Sequence, residues 1–239
     1  MSDPRADPGL LTFLEGFLTP ARREKIDRVL AARTGYVRVV VEDLFQPHNA
    51  SAVMRTCECF GVQHMHIIEN RYAFRPNSEV SMGAAKWVTT HRHRAPETDN
   101  TTACLEELKA AGYRTVATCL REDAVPLHEV PTDRPLALLF GTEEDGLSER
   151  AIAQADLATT IPMQGFTQSF NISVSAAICL SHLLTRIRAE RDDWALPEAE
   201  KEALRAAWVR ASLKHLNPEA LERRFLEDRA ATPDPTQPA

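Results

Sequence analysis

The sequence has no run of apolar residues expected to reach the ~18 that a membrane-spanning helix needs. Its polar start, Met1-Ser2-Asp3-Pro4, is unlike a secretory leader. Both absences lead us to expect a soluble, cytoplasmic chain with no membrane partner. Cysteine is sparse, at five residues (Cys57, Cys59, Cys104, Cys119 and Cys179) with no C-x-x-C pair. That argues against a disulfide frame or a cysteine-built zinc site, and the thiols read as reduced and mostly structural. His64-Met65-His66 and His91-Arg92-His93 have alternating imidazoles, but no carboxylate or cysteine completes a recognisable ligand set beside them, so no metal is expected. The nine glycines form neither G-x-G-x-x-G nor a Walker A loop, which argues against a pyrophosphate cradle. A basic excess is also missing: the net charge is −6, so this is not a protein coated with cations to grip nucleic acid.

What is present is more specific. Two local basic stretches survive within the acidic chain, one over 20–34 with Arg22 and Arg23, the other over 70–94 with Lys86. Each reads either as a solvated surface or as a patch for phosphates. At 239 residues and 44% hydrophobic content, the chain can bury one large domain with helical additions.

A helical extension is predicted over 20–33, with Pro20 suited to the first turn and Gly35 to the stop. Strands at 37–41, 66–68, 115–118, 136–140 and 159–161 then alternate with helices at 49–60, 102–111, 148–155 and 173–191. Apolar strands alternating with helices predict an α/β fold, a parallel sheet covered on both faces. After Asp192-Asp193 the pattern is purely helical, with Leu204, Ala207, Trp208 and Ala211 on one stripe. The predicted divisions are a helical extension at 1–35, a central α/β domain at 36–191, a second helical extension at 192–229 and a disordered, proline-rich tail at 230–239.

Three segments could carry chemistry. In the first, Pro47-His48-Asn49-Ala50-Ser51-Ala52-Val53-Met54-Arg55, Asn49 is placed to cap a helix that Gly61 ends. Arg55 lies about 9 Å up the axis from Asn49, but helical side chains lean toward the N-terminus, so both groups could meet one phosphate or hydroxyl. A surface arginine remains the plainer reading. The second segment is strand 136–140 followed by Gly141-Thr142-Glu143-Glu144-Asp145-Gly146-Leu147-Ser148. Ligands of parallel sheets bind beyond the carboxyl ends of strands, and Gly141 there permits close approach to the backbone. Three carboxylates would repel a pyrophosphate, whereas a positively charged nucleoside such as S-adenosylmethionine suits them. The third segment is Ile161-Pro162-Met163-Gln164-Gly165, leading into Phe166-Thr167-Gln168-Ser169-Phe170-Asn171-Ile172-Ser173. It is a polar loop entering an apolar helix, able to cap itself or to hold a ligand.

In this order and spacing, the three segments resemble the three motifs of the SpoU group of SPOUT RNA methyltransferases. The likeness extends through Gly83-Ala84-Ala85-Lys86-Trp87-Val88 and Ala117-Thr118-Cys119-Leu120 to cover roughly 20–210, and is nearest the TrmH branch. It implies a SPOUT fold with a C-terminal trefoil knot, flanked by N- and C-terminal helical extensions, and a homodimer whose active site takes Arg55 from one subunit and the other two motifs from its partner. It implies S-adenosylmethionine as cofactor, held by Thr118, Gly141, Ile161, Met163 and Phe170, and methylation of a tRNA ribose 2′-hydroxyl at guanosine-18 of the D-loop. Arg55, Asn49, Ser169, Glu143 and Asn171 become the catalytic set, and His48, Arg22, Arg23, Lys86, Arg186 and Arg188 the RNA contacts. Deprotonating an arginine at neutral pH costs roughly 9 kcal/mol, so Arg55 is expected to stabilise the alkoxide as a cation, with Asn49 orienting it and Ser169 gripping a phosphate. Another RNA as substrate, a silent RNA-binding relative and a base methyltransferase of another SPOUT branch are the alternatives.

Overall fold

Thr19 opens a helix by accepting the backbone N–H of Arg22 at 3.3 Å, and Pro20 occupies the first turn, where its missing donor costs nothing. This helix, α2 (Pro20–Ala31), follows α1 (Pro8–Glu15). It stops short of Arg33 because Arg33 belongs to the next structural unit: its guanidinium is fully buried, donating to the Val62 carbonyl at 3.2 Å and pairing with Glu58 at 3.4 Å. The computed structural model describes residues 8–75 and 77–231. They separate into a helical unit, made of residues up to 32 and from 197 on, and a sheet unit, Arg33–Leu196. Residues 192–196, expected to open the C-terminal extension, lie in the sheet unit, where the Thr34 hydroxyl donates to the Trp194 carbonyl and the Leu196 N–H to the Arg33 carbonyl.

The sheet unit runs β1 (Val37–Glu42), α3 (Pro47–Phe60), β2 (His64–Ile68), α4 (Ser78–Ser81), β3 (Thr89–His93), α5 (Asn100–Ala110), β4 (Arg114–Thr118), β5 (Val125–Pro126), β6 (Leu136–Phe140), α6 (Glu149–Gln154), β7 (Leu157–Thr160) and α7 (Ile172–Glu190). Its seven strands are all parallel, in the order β3-β2-β1-β6-β4-β7-β5. Pleat alternation divides the core. Val37, Val39 and Val41 of β1, with Leu136, Leu138 and Phe140 of β6, face α3 and α7. Val40, Ala117, Ala137 and Leu139 face Cys104, Leu105 and Leu108 of α5 and Ala151 of α6. The expected α/β class and covered parallel sheet are therefore present, whereas β3 and β5 were not foreseen.

Helix α3 begins earlier than expected. Gln46 stands at the N-cap and Pro47 in the first turn, so Asn49 lies inside the helix rather than capping it, while Gly61 closes it with φ 79° as expected. Helix α7 corrects a second expectation: by length and composition it could cross a membrane. It is instead a core helix, burying Ile172, Ala176, Cys179, Leu180, Leu183, Leu184 and Ile187.

In the helical unit, α8 (Glu198–Ser212) and α9 (Pro218–Ala231) join α1 and α2. Trp208 and Val209 of α8 are buried, as is Leu213 just beyond it, whereas Ala207 of the expected stripe is exposed. Arg205 ties α8 to Glu15 of α1 at 2.6 Å and to Asp27 of α2. Of the tail expected to be disordered, residues 230 and 231 close α9 and the remainder lies outside the described residues, as does the start Met1-Ser2-Asp3-Pro4.

Candidate active site

The carboxyl ends of β4, β6 and β7 open into a cavity of about 390 Å³, within the size range of a small-molecule site. Its walls include Thr118, Gly141, Ile161, Met163 and Phe170, every residue expected at the cofactor, together with Glu143 and Ser169. Strand β4 delivers Thr118, whose hydroxyl donates to the Leu139 carbonyl at 2.7 Å and leaves its backbone at the rim. After β6 the chain turns back at once: Thr142 and Gly146 exchange backbone hydrogen bonds of 2.9 and 3.1 Å, which puts Glu143, Glu144 and Asp145 at the tip. Gly141 has no alternative there. A Cβ on it would lie 2.0 Å from the Gly146 carbonyl and 2.1 Å from the Leu147 nitrogen, far inside contact distance.

The loop is anchored from beneath by Glu42, a buried carboxylate at the end of β1. It accepts the Ser148 N–H at 2.8 Å, the Ser148 hydroxyl at 2.9 Å and the Thr101 hydroxyl at 2.6 Å. Ser148 in turn caps α6. Sequence reading passed over Glu42, though an acidic residue ending a valine strand was a visible irregularity. It also passed over Cys119, Leu120 and Arg121, which line the cavity beyond β4; Arg121 is paired with Asp123 at 2.8 Å.

Asn171 joins the segments. Its Oδ1 accepts the Ser173 N–H at 2.9 Å to cap α7, while its amide donates to Asn49 Oδ1 at 3.2 Å and to Glu143. Residues from all three motif-like segments thus meet at one point. The Asn49 amide donates to Gln46 at 3.1 Å, so Asn49 is engaged with the loops rather than with Arg55. Arg55 is exposed on α3 and is absent from the cavity lining.

The expected RNA contacts divide into two groups. His48 and Lys86 are exposed. Arg22, in the helical unit, donates to Ser212 at 3.1 Å, and the Nε of neighbouring Arg23 is buried without a hydrogen-bond partner. Arg186 and Arg188 are committed internally. Arg186 donates to the carbonyls of His128 and Val130 at 2.9 and 3.1 Å. Arg188 donates to the Phe60 carbonyl at 3.0 Å and sits over the Trp194 ring, and burial lowers its pKa. The expectation that this pair grips RNA therefore meets a pair already engaged with main-chain carbonyls of the same chain.

Away from the cavity, His66, His93 and Cys104 bring their donor atoms within 4.8 Å of one another, a grouping absent from the sequence pattern. Cys104 arrives from α5, more than ten residues beyond the histidine pairs, which is why spacing did not reveal it.

The SpoU rRNA Methylase family profile matches residues 36–181. A tRNA (guanosine(18)-2'-O)-methyltransferase of Borreliella burgdorferi is 39% identical over 202 residues, spanning 84% of this chain and 90% of its own. One of the same name from Thermus thermophilus is 41% identical over 162 residues, spanning 68% and 81%. Among solved structures, the A. aeolicus TrmH/SpoU tRNA modifying enzyme superposes with a TM-score of 0.72 at 28% identity, over 81% of this chain and 97% of that one.

Proposed function

Because the chain belongs to the SpoU methylase family, we propose that it transfers a methyl group from S-adenosylmethionine to the ribose 2′-hydroxyl of guanosine-18 in tRNA. The observation that carries this reading is the meeting of the three motif segments at one cavity, joined through Asn171. The relatives named for that reaction are 39% and 41% identical to this chain.

The cavity suits the cofactor. Its acidic rim favours a cationic nucleoside over a phosphorylated one, and the missing side chain of Gly141 lets the Gly146–Leu147 backbone close the loop that carries this rim. Thr118, Gly141, Ile161, Met163 and Phe170 would hold it, and when bound it supplies an electrophilic methyl group on a sulfonium. Glu143 and Asn171 fix the two loops that form the walls.

The protein's own task is to let a weakly acidic hydroxyl act as nucleophile. Charged Arg55 stabilises the oxygen as negative charge develops, Ser169 grips the adjoining phosphate, and the proton leaves to an RNA phosphate or water. Arg55 acts across a homodimer, on the cavity of the partner; its exposure and its absence from its own cavity wall support this. His48, Lys86, Arg22 and Arg23 meet the RNA backbone. The family's trefoil knot belongs to the same reading, supported by β6 lying between β1 and β4 while α7 returns to pack on α3. The enzyme works where tRNA is, in the cytoplasm.

Incubation with labelled S-adenosylmethionine and unmodified tRNA transcripts, followed by nucleoside mass spectrometry, tests the reading. We expect 2′-O-methylguanosine in the D-loop. A different 2′-O-methyl nucleoside would keep the chemistry and replace the substrate, an outcome that the internal commitment of Arg186 and Arg188 keeps in view. Absence of label from tRNA and ribosomal RNA alike would overturn it.

A further inference from the structure

Across β1 from the strands that form the cavity, β2 and β3 carry four histidines. The register His66↔His91 and Ile68↔His93, with alternation along each strand, turns His64, His66, His91 and His93 to the face covered by α5. His66 is fully buried and stacks on His91 with ring centroids 4.4 Å apart. His66 Nδ1 lies 3.1 Å from His93 Nε2 and 4.0 Å from Cys104 Sγ. A tetrahedral zinc ion holds nitrogen donors about 3.3 Å apart and nitrogen and sulfur about 3.6 Å apart, so a small inward movement of Cys104 completes the geometry.

We propose that His66 Nδ1, His93 Nε2 and Cys104 Sγ form a site for a divalent, borderline-soft cation, Zn²⁺ by preference, that clips the edge strand β3 to α5. Three protein donors leave the fourth position to water. Glu107, one turn beyond Cys104, stands 4.0 Å from His93 Nδ1, where a carboxylate orients a metal-bound imidazole. Arg38 Nη1, which can only donate, lies 3.3 Å from His66 Nε2, so that nitrogen accepts and the ring is neutral, with a lone pair to offer.

Arg38 opposes the ion and sets its affinity. Its Nη1 is 3.3 Å from His66 Nε2, and a guanidinium only donates, so in the metal-free protein His66 carries its proton on Nδ1 and points it at His93. His93 Nε2 is then already a lone pair, and its Nδ1–H faces Glu107. Binding moves the His66 proton to Nε2, turns Arg38 aside and expels the thiol proton of Cys104, which burial otherwise holds well above the usual thiol range. One proton is released per ion.

The test is titration of the reduced full chain with Co²⁺ alone. We expect one equivalent to give a sulfur-to-cobalt charge-transfer band and the intense visible bands of tetrahedral cobalt, with Zn²⁺ displacing the ion and raising Tm. Cys104→Ser removes the charge-transfer band, whereas Cys59→Ser, altering an exposed thiol, leaves it. His93→Gln weakens binding by about tenfold or more, and Arg38→Gln tightens it by about tenfold. Should Cys104→Ser fail to fold, His93→Gln and Arg38→Gln carry the test. No band in the wild type, a band that survives Cys104→Ser, or affinity unmoved by both His93→Gln and Arg38→Gln overturns the site. None of these readouts depends on methyl transfer.

Discussion

The amide of Asn171 donates to Asn49 Oδ1 across 3.2 Å of space and 122 positions of sequence. The same amide reaches Glu143, and the other end of the side chain caps α7. One exposed asparagine therefore coordinates the first turn of α3, the acidic loop after β6 and the start of α7. Asn171→Ala should cost about 1 kcal/mol through loss of the cap, and substantially more in activity. Thermal unfolding and single-turnover methyl transfer on the same preparation check this: a Tm drop of a few degrees beside a loss of tenfold or more in rate is expected.

Gly141→Ala should spare the fold and impair the cofactor site. The added Cβ would meet the Gly146 carbonyl at 2.0 Å, so the acidic loop has to move outward. Isothermal titration with S-adenosylmethionine should show affinity reduced at least tenfold, with far-UV circular dichroism unchanged.

Arg55→Ala should abolish methyl transfer while leaving cofactor binding intact, because Arg55 lies outside the cavity wall. Arg55→Lys retaining most activity would indicate that charge suffices; a shifted pH–rate limb in that variant would point to proton transfer. Mixing Arg55→Ala with Gly141→Ala protomers should restore activity in heterodimers if Arg55 acts across the interface.

Asp156 joins the starts of β4 and β7, accepting the Thr115 N–H at 2.9 Å and the Thr115 hydroxyl at 3.2 Å, with Lys109 3.2 Å away. Burial works to raise its pKa, but these donors outweigh it, and the carboxyl sits below the usual aspartate range. A lowered pKa means that the ionised form is bound more tightly in the folded state. The stabilisation is complete above the ordinary aspartate value of about 4 and is lost as pH falls through the lowered one. Asp156→Asn should cost about 1–3 kcal/mol at pH 7 and progressively less below pH 4, as urea denaturation at the two pH values would measure.

Most of the sheet was legible because its strands are apolar and β-branched: Val37, Val39, Val40 and Val41 announce β1 without any neighbour. Strand β3 was not, because Thr89-Thr90-His91-Arg92-His93 is a half-exposed edge whose composition reads as a polar surface. The strand order was equally hidden, since nothing local in Leu136-Ala137-Leu138-Leu139-Phe140 specifies its place between β1 and β4. At the site, every residue expected at the cofactor from motif and position lines one cavity. The hydrogen-bond assignments were not legible. Asn49 engages Gln46 and Asn171, and Arg186 and Arg188 turn inward to carbonyls, because side-chain partners depend on what the fold brings near. Cys104 shows the same limit: its approach to His66 and His93 joins two strands and a helix, which no sequence spacing reveals.

Helix α7, the covering of the α3 face of the sheet, is also the last element of its unit to leave the ribosome. Until residue 190 has emerged, Val53, Met54 and Cys57 of α3 and the valines of β1 that face them lack the α7 residues that complete their burial, although they were synthesised more than a hundred residues earlier. Folding of the sheet unit is therefore deferred to the end of its synthesis, and a chain truncated before Ile172 should present an open apolar face that draws chaperones or aggregates.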